Sequence, residues 1–304
     1  MNKPKIAISI GDLNGIGMEI ALKAHYEISK LCEPIYCINE KLLKQACRLL
    51  NTEIPNNFKL HIVDGDFKIQ VGTTNASSGK YSYDSFMSAI SLCETKQTDA
   101  VVTMPIHKEA WMLAGLDYKG HTDLLRKHFN KEAIMMLGCQ EMFVALYTEH
   151  IPLKDVPSFI KKDDLKRFFL DLHKSIGDKK VAVLGLNPHA GDNGVLGDEE
   201  REIDEAIKQT NKIIGKELFI GSLVPDVAFT PHARKNYNYF VAMYHDQGLT
   251  PLKALYFDES VNISLNLPII RTSVDHGTAF DIAYKGEAKT LSYINAIKSA
   301  ISLI

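Results

Sequence analysis

Short runs of Ile, Val and Ala alternate with helix-length amphipathic stretches along this chain, and that alternation narrows the possible folds more than any other feature. KIAISI (5–10) precedes GMEIALKAHYEIS (17–29), PIYCIN (34–39) precedes KLLKQACRLL (41–50), and DAVVTMP (99–105) precedes HKEAWMLAGL (107–116). The pattern continues with KVAVLGL (180–186) before GDEEREIDEAIKQTNKII (197–214), with YFVAMY (239–244), and with a closing helix AKTLSYINAIKSAISLI (288–304). Strand followed by helix, repeated, demands a largely parallel sheet with helices on its faces. No internal repeat or Pro/Ser-rich linker separates independent domains. The reading is therefore one catalytic unit over residues 1–304, built as two interleaved lobes around a cleft, with the lobe boundaries left open.

A chain of 304 residues with 45% hydrophobic composition can bury a large core. Its 35 basic and 37 acidic residues leave a formal net charge of −2, which gives no footprint for nucleic acid or an anionic membrane. Five cysteines, none in a Cys-x-x-Cys pair, read as reduced thiols. The N-terminus carries neither a signal-peptide pattern nor a membrane span, so the expectation is a soluble, cytoplasmic protein.

In sheets of this kind ligands bind beyond the carboxyl ends of the strands. Polar clusters on such loops are GDLNGIG (11–17), GHTD (120–123), YTEHIPL (147–153), GLNPHAGDNG (185–194), YHDQG (244–248) and RTSVDHGTAFDIAYKG (271–286). Of the eleven histidines, His25, His128 and His173 lie in helical patterns and receive no role. His150, His189 and His245 each follow a β-like apolar run, and three strand ends can converge on one point. Neutral imidazole is a common metal donor, and three protein ligands leave a position open for water or substrate. The intervals between them are long and lack a local metal motif, so their spacing alone leaves solvated loop residues as the competing reading.

Taken together, GLNPHAGDNGVLGDEE (185–200), AMYHDQGLTPLKAL (242–255) and VNISLNLPIIRTSVDHGTAFDIA (261–283), with VVTMPIHKEA (101–110) and GHTD upstream, resemble the 4-hydroxythreonine-4-phosphate dehydrogenase family of vitamin B6 biosynthesis. The resemblance runs from the first strand to the last helix. It implies a divalent metal (Zn, Mg or Co) held by His150, His189 and His245, with the three ligands shared across a homodimer interface. It also implies that His121, Thr122, Lys253, Asn262 and Arg271 contact a phosphorylated substrate, and those residue types suit it, since Lys253 and Arg271 neutralise anions. Three positions depart from the family pattern. GDLNGIG stands where Asp-Pro-Ala-Gly is usual, Glu149 precedes the first metal histidine where threonine is common, and Asp123 replaces a glutamate.

A hydride acceptor is needed, yet the chain has no Gly-x-Gly-x-x-Gly fingerprint, and the glycines of GDLNGIG have the wrong spacing for one. DHGTAFDIAYKG (275–286) instead resembles the loop with which isocitrate and isopropylmalate dehydrogenases hold the adenosine end of NAD or NADP. That resemblance implies His276, Gly277, Thr278 and Asp281 as cofactor-binding residues, and an isopropylmalate/isocitrate-dehydrogenase-like α/β fold. The same stretch also reads as a glycine turn that starts a helix. For the hydroxyl proton, Asp246 and Asp226 are the candidate catalytic acceptors; either can instead orient a metal histidine, and Asp275 is left unassigned. Competing readings are a sibling dehydrogenase of a phosphorylated four-carbon sugar acid, such as phosphothreonate or phosphoerythronate, a zinc hydrolase of a phosphorylated substrate, and a non-catalytic binding protein.

Overall fold

The computed structural model describes residues 3–304. In chain order, β1 (Lys5–Ser9) leads to α1 (Gly17–Leu31), β2 (Glu33–Cys37) to α2 (Glu40–Leu49), and β3 (Lys59–His61) to α3 (Ala76–Glu94). β4 (Ala100–Thr103) is followed by α4 (Lys108–Leu113) and α5 (His121–Phe129), then by β5 (Ile134–Cys139) and β6 (Met142–Leu146). After α6 (Val156–Phe159) and α7 (Lys162–Ile176) come β7 (Val181–Leu184), α8 (Glu200–Ile214), β8 (Phe219–Leu223) and α9 (Pro225–Ala228). The chain ends with β9 (Tyr239–Ala242), α10 (His245–Tyr256), β10 (Val261–Leu265), β11 (Arg271–Val274) and α11 (Leu291–Leu303).

Two compact units divide these elements. The first runs up to Lys131 and takes in Val261–Ile263 and Leu267–Ile304; the second holds Glu132–Ser260 and Ser264–Asn266. In the first unit the strand order is β3-β2-β1-β4-β11-β10. β1 pairs parallel with β2 and β4, and β4 with β11. In the second the order is β5-β6-β9-β7-β8, parallel except for β5 against β6.

Burial follows from that topology. Helices cover both faces of parallel strands, so such strands read as unbroken apolar runs, and β4, β6 and β7 are buried at every position. Helix starts are fixed by side chains: Asn39 accepts the Leu42 N–H at 2.9 Å at the head of α2, and Asn75 accepts the Ser78 N–H at 2.9 Å at the head of α3. The second unit closes its core around Met142, Val144, Leu184, Phe240 and Leu252. All five cysteines are buried and unpaired. Among the described residues no helix is long and apolar enough to cross a membrane.

Two local expectations fail. YHDQG (244–248) is not a loop: α10 starts at His245 and continues through Gly248 and Pro251. Burial of Leu249 and Leu252 outweighs the poor helix propensity of those two residues. The helix expected to start in TAFDIAYKG is absent, and the segment folds as consecutive turns, with Ile282 N–H on the Ala279 carbonyl and Lys285 N–H on the Ile282 carbonyl.

Candidate active site

The three predicted metal histidines and Lys253 lie in the second unit, and His121, Thr122, Asn262 and Arg271 in the first. In the second unit, His150 and His245 come together, their ring centroids 5.3 Å apart and their planes at 45°. Two imidazoles that share one tetrahedral ion through bonds of about 2 Å place their ring centres roughly 5 Å apart, so this pair fits a divalent metal. Nδ1 of His245 lies 2.7 Å from Oδ1 of Asp246, a contact that, with Nδ1 carrying the proton, leaves Nε2 free to face an ion. That contact is compatible with the orienting reading of Asp246. Asp226 lies exposed in the four-residue helix α9, and its carboxylate pairs with none of the three histidines.

His189 sits on a loop of unusual geometry. It and the next four residues, Ala190, Gly191, Asp192 and Asn193, all have positive φ, one turn of left-handed backbone. Four of the five carry a Cβ, which makes the turn costly at roughly 1–2 kcal/mol per residue, less for Asp and Asn. Glu200, at the start of α8 and buried, braces it: Oε1 accepts the N–H groups of Leu186 at 2.8 Å and Asn187 at 2.7 Å, and Oε2 accepts the Asn187 side-chain amide at 3.0 Å. Among the described residues of one chain, no group of three His, Cys, Asp or Glu side chains is close enough to hold an ion. One chain therefore brings two of the three expected ligands together.

The first unit gathers cationic side chains around His121. Arg271, on β11, is 2% exposed and donates from Nη2 to Oγ1 of Thr103 at 2.7 Å. Burial pulls its guanidinium down to about 9, still protonated at neutral pH. His121, the first residue of α5, is packed edge-on by Phe86 at 4.6 Å and Trp111 at 5.8 Å. Burial above all, then the charges of Arg271 and Lys108, hold its imidazole well below the usual histidine range, so it is neutral at pH 7. Nε2 of His121 and Oδ1 of Asn262 are buried atoms with no hydrogen-bond partner. Buried polar atoms without partners are uncommon in proteins and suit a site built for a polar ligand.

Thr122 follows His121 in the first turn of α5. Asp123 is occupied locally, accepting the Lys119 N–H at 3.0 Å, which accounts for that departure as a turn cap. Lys253 lies on α10, half-buried, with Nζ 5.4 Å from the Phe257 ring centre. Its position eight residues after His245 corresponds to about 12 Å of helix rise. Lys108 was passed over in the sequence, although HKEA lies in one of the motifs; its effect on His121 appears only in three dimensions.

The proposed cofactor loop rests on the first glycine loop. The Ile16 N–H donates to the Thr278 carbonyl at 3.0 Å, and a Cβ on Gly15 would stand 2.7 Å from that oxygen, so the glycine is required by close backbone approach. Asn14 is buried and ties the same loop to 70–73 by accepting the Gln70 N–H at 2.8 Å and donating to the Thr73 carbonyl at 2.7 Å. GDLNGIG is thus explained structurally. Thr278 is buried, His276 half-buried, and Gly277 and Asp281 exposed beside open space at Gly277. That leaves room for a ligand against the loop.

Residues 30–300 match the family described as pyridoxal phosphate biosynthetic protein PdxA. The chain belongs to that family. It is 70% identical to a 4-hydroxythreonine-4-phosphate dehydrogenase of Sulfurimonas denitrificans, over 100% of this chain and 99% of the relative. A crystal structure of a 4-hydroxythreonine-4-phosphate dehydrogenase from Klebsiella pneumoniae superposes with a TM-score of 0.85 at 32% identity, covering 99% of this chain and 98% of that one. A β-decarboxylating dehydrogenase from Thermococcus kodakarensis shares the fold alone, with a TM-score of 0.50 at 15% identity over 100% of this chain and 82% of that one. The expected isopropylmalate/isocitrate-dehydrogenase-like fold class is correct.

Proposed function

We propose that this protein oxidises 4-hydroxythreonine 4-phosphate, with NAD or NADP and one divalent ion, to a β-keto acid that decarboxylates to 3-amino-2-oxopropyl phosphate, in pyridoxine 5'-phosphate synthesis. Family membership and the 70% identical relative support the activity, and the His150–His245 pair is the observation in this chain that carries the metal requirement. His150, His189 and His245 would hold the ion, which supplies a Lewis acid for the substrate hydroxyl and for the later carbonyl oxygen.

The chain's own groups do the rest. Arg271 presents a permanent cation from a buried seat, where a substrate anion meets little competing water. Neutral His121 offers Nε2 as a hydrogen-bonding atom beside the cations Lys108 and Arg271. Thr122, Asn262 and Lys253 complete the substrate contacts in this reading. His276, Gly277, Thr278 and Asp281 hold the adenosine end of the cofactor. Asp246 or Asp226 accepts the hydroxyl proton in this reading, unless Asp246 serves instead to orient His245.

Initial rates of NAD(P)H formation test the reading. 4-Hydroxythreonine 4-phosphate should turn over in a metal-dependent reaction that chelation stops. Faster turnover of phosphothreonate or phosphoerythronate would assign the sibling activity, and phosphate or acyl release without NAD(P)H a hydrolase.

The enzyme acts in this reading as a homodimer. His150 and His245 come from one subunit, the arrangement favoured by their proximity, and His189 comes from the other. Mixing inactive His189→Ala with inactive His245→Ala should then restore about a quarter of wild-type activity through heterodimers. Mixing His150→Ala with His245→Ala should restore none. Recovery in the second mixture alone would overturn this division of ligands.

A further inference from the structure

His150 and His189 stand on loops and His245 at the head of α10, and a chain of hydrogen bonds joins the three segments. The Met243 carbonyl, two residues before His245, accepts both the N–H of Thr148 at 3.3 Å and its hydroxyl at 2.6 Å; Thr148 is buried and stands two residues before His150. The Met243 N–H donates to Oε1 of Gln247 at 2.7 Å. Nε2 of the same Gln247 donates to the Gly185 carbonyl at 2.7 Å, where β7 gives way to the His189 loop. Gln247 is the only member that reaches from the His245 segment to the His189 segment in this series. Its amide has one acceptor and one donor end, and each meets a backbone group of the opposite kind.

We infer that Gln247 is a positioning residue, the clasp that sets the His189 loop in register with the His150 and His245 segments. The inference rests on the metal reading above. It acts on the loop whichever subunit's ion His189 meets. Cross-links of this kind matter because a ligand shifted by a fraction of an ångström loses coordination, and partners behind metal ligands are typically worth 10- to 100-fold in metal affinity.

A simpler role competes: Gln247 lies in the first turn of α10, and its Oε1 bond to Met243 resembles a reciprocal helix cap. Gln247→Glu separates the two. The carboxylate still accepts the Met243 N–H, and a negative charge in the first turn of a helix favours it. It cannot donate to the Gly185 carbonyl, which it would repel.

The experiment uses the full-length protein stripped of metal and titrated with Co²⁺, following the visible ligand-field absorption, with thermal midpoints recorded on the metal-free protein. Gln247→Glu should bind Co²⁺ about 10- to 100-fold more weakly with an altered spectrum, while the metal-free midpoint stays within a few degrees of wild type. Affinity and spectrum like wild type would reduce Gln247 to a cap and overturn the inference. His189→Ala and His245→Ala run alongside: if both keep wild-type affinity, the metal reading itself has failed. Should Gln247→Glu not fold, Thr148→Val tests the same chain of bonds at its other end, where an affinity loss of threefold or more supports the clasp and an unchanged value overturns it.

Discussion

The cationic cluster of the first unit and the histidine segments of the second solve opposite problems. Arg271 and His121 are set by burial. One is on a strand, the other opens a helix, and aromatic edges and a threonine hydroxyl hold them before any ligand arrives. The histidine segments are partly open, and His245 has 37% of its side chain exposed. There the order comes from hydrogen bonds between the Gln247 side chain and backbone groups and from a strained left-handed turn. A site for a fixed anion can be carved from the core. Side chains at the ends of strands and helices are placed by what stands behind them.

Three substitutions sharpen that contrast, beginning with the largest effect. Arg271→Lys keeps the charge but loses the planar fork and its bond to Thr103, and kcat/KM should fall by about 100-fold or more, roughly 3 kcal/mol, with Co²⁺ affinity unchanged. Metal loss in that variant would break the division between the regions.

His121 gives the next effect, read as stability against pH. Its folded pKa lies below the unfolded value, so the unfolded chain binds the extra proton. Its contribution is complete above about pH 6.5 and is lost as the pH falls, at no more than about 1.4 kcal/mol per pH unit. His121→Asn should flatten the denaturant-derived stability curve on the acid side of that value. An equally steep curve would show that His121 titrates normally.

Ala190→Gly should have the smallest effect. Glycine accepts the left-handed conformation at this position, which has φ of 50°, so relief of strain should add up to about 1 kcal/mol of stability and raise the thermal midpoint slightly. The looser turn should bind Co²⁺ somewhat more weakly. A lower midpoint would mean that the turn is held by contacts the alanine makes.

Much of the fold was legible because parallel strands declare themselves as apolar runs: KIAISI, DAVVTMP, KVAVLGL and YFVAMY all contain observed strands. YHDQG reads as a loop because its polar residues and Gly248 argue locally for one, whereas Leu249 and Leu252, just beyond it, are committed to a core assembled from distant strands. Motif resemblance pointed to His150 and His245, which meet, and to His121 and Arg271, which influence one another. Lys108 escaped notice because proximity to a helix start 13 residues on leaves no periodic trace. Gln247 was invisible for a deeper reason: both its partners are backbone groups, and every residue has those.

Burial of the cysteines has a practical consequence. Desolvation pushes the thiols of Cys32 and Cys37 up to about 12 and that of Cys139 up to about 11. At pH 8 only about one Cys32 in ten thousand is a thiolate, against roughly a quarter for a free cysteine, and only the thiolate reacts with iodoacetamide. Alkylation therefore waits for the chain to open. Cys32, Cys37, Cys47 and Cys93 report on the first unit and Cys139 on the second, so peptide mass mapping of the labelled protein times the breathing of each unit separately, with no engineered probe.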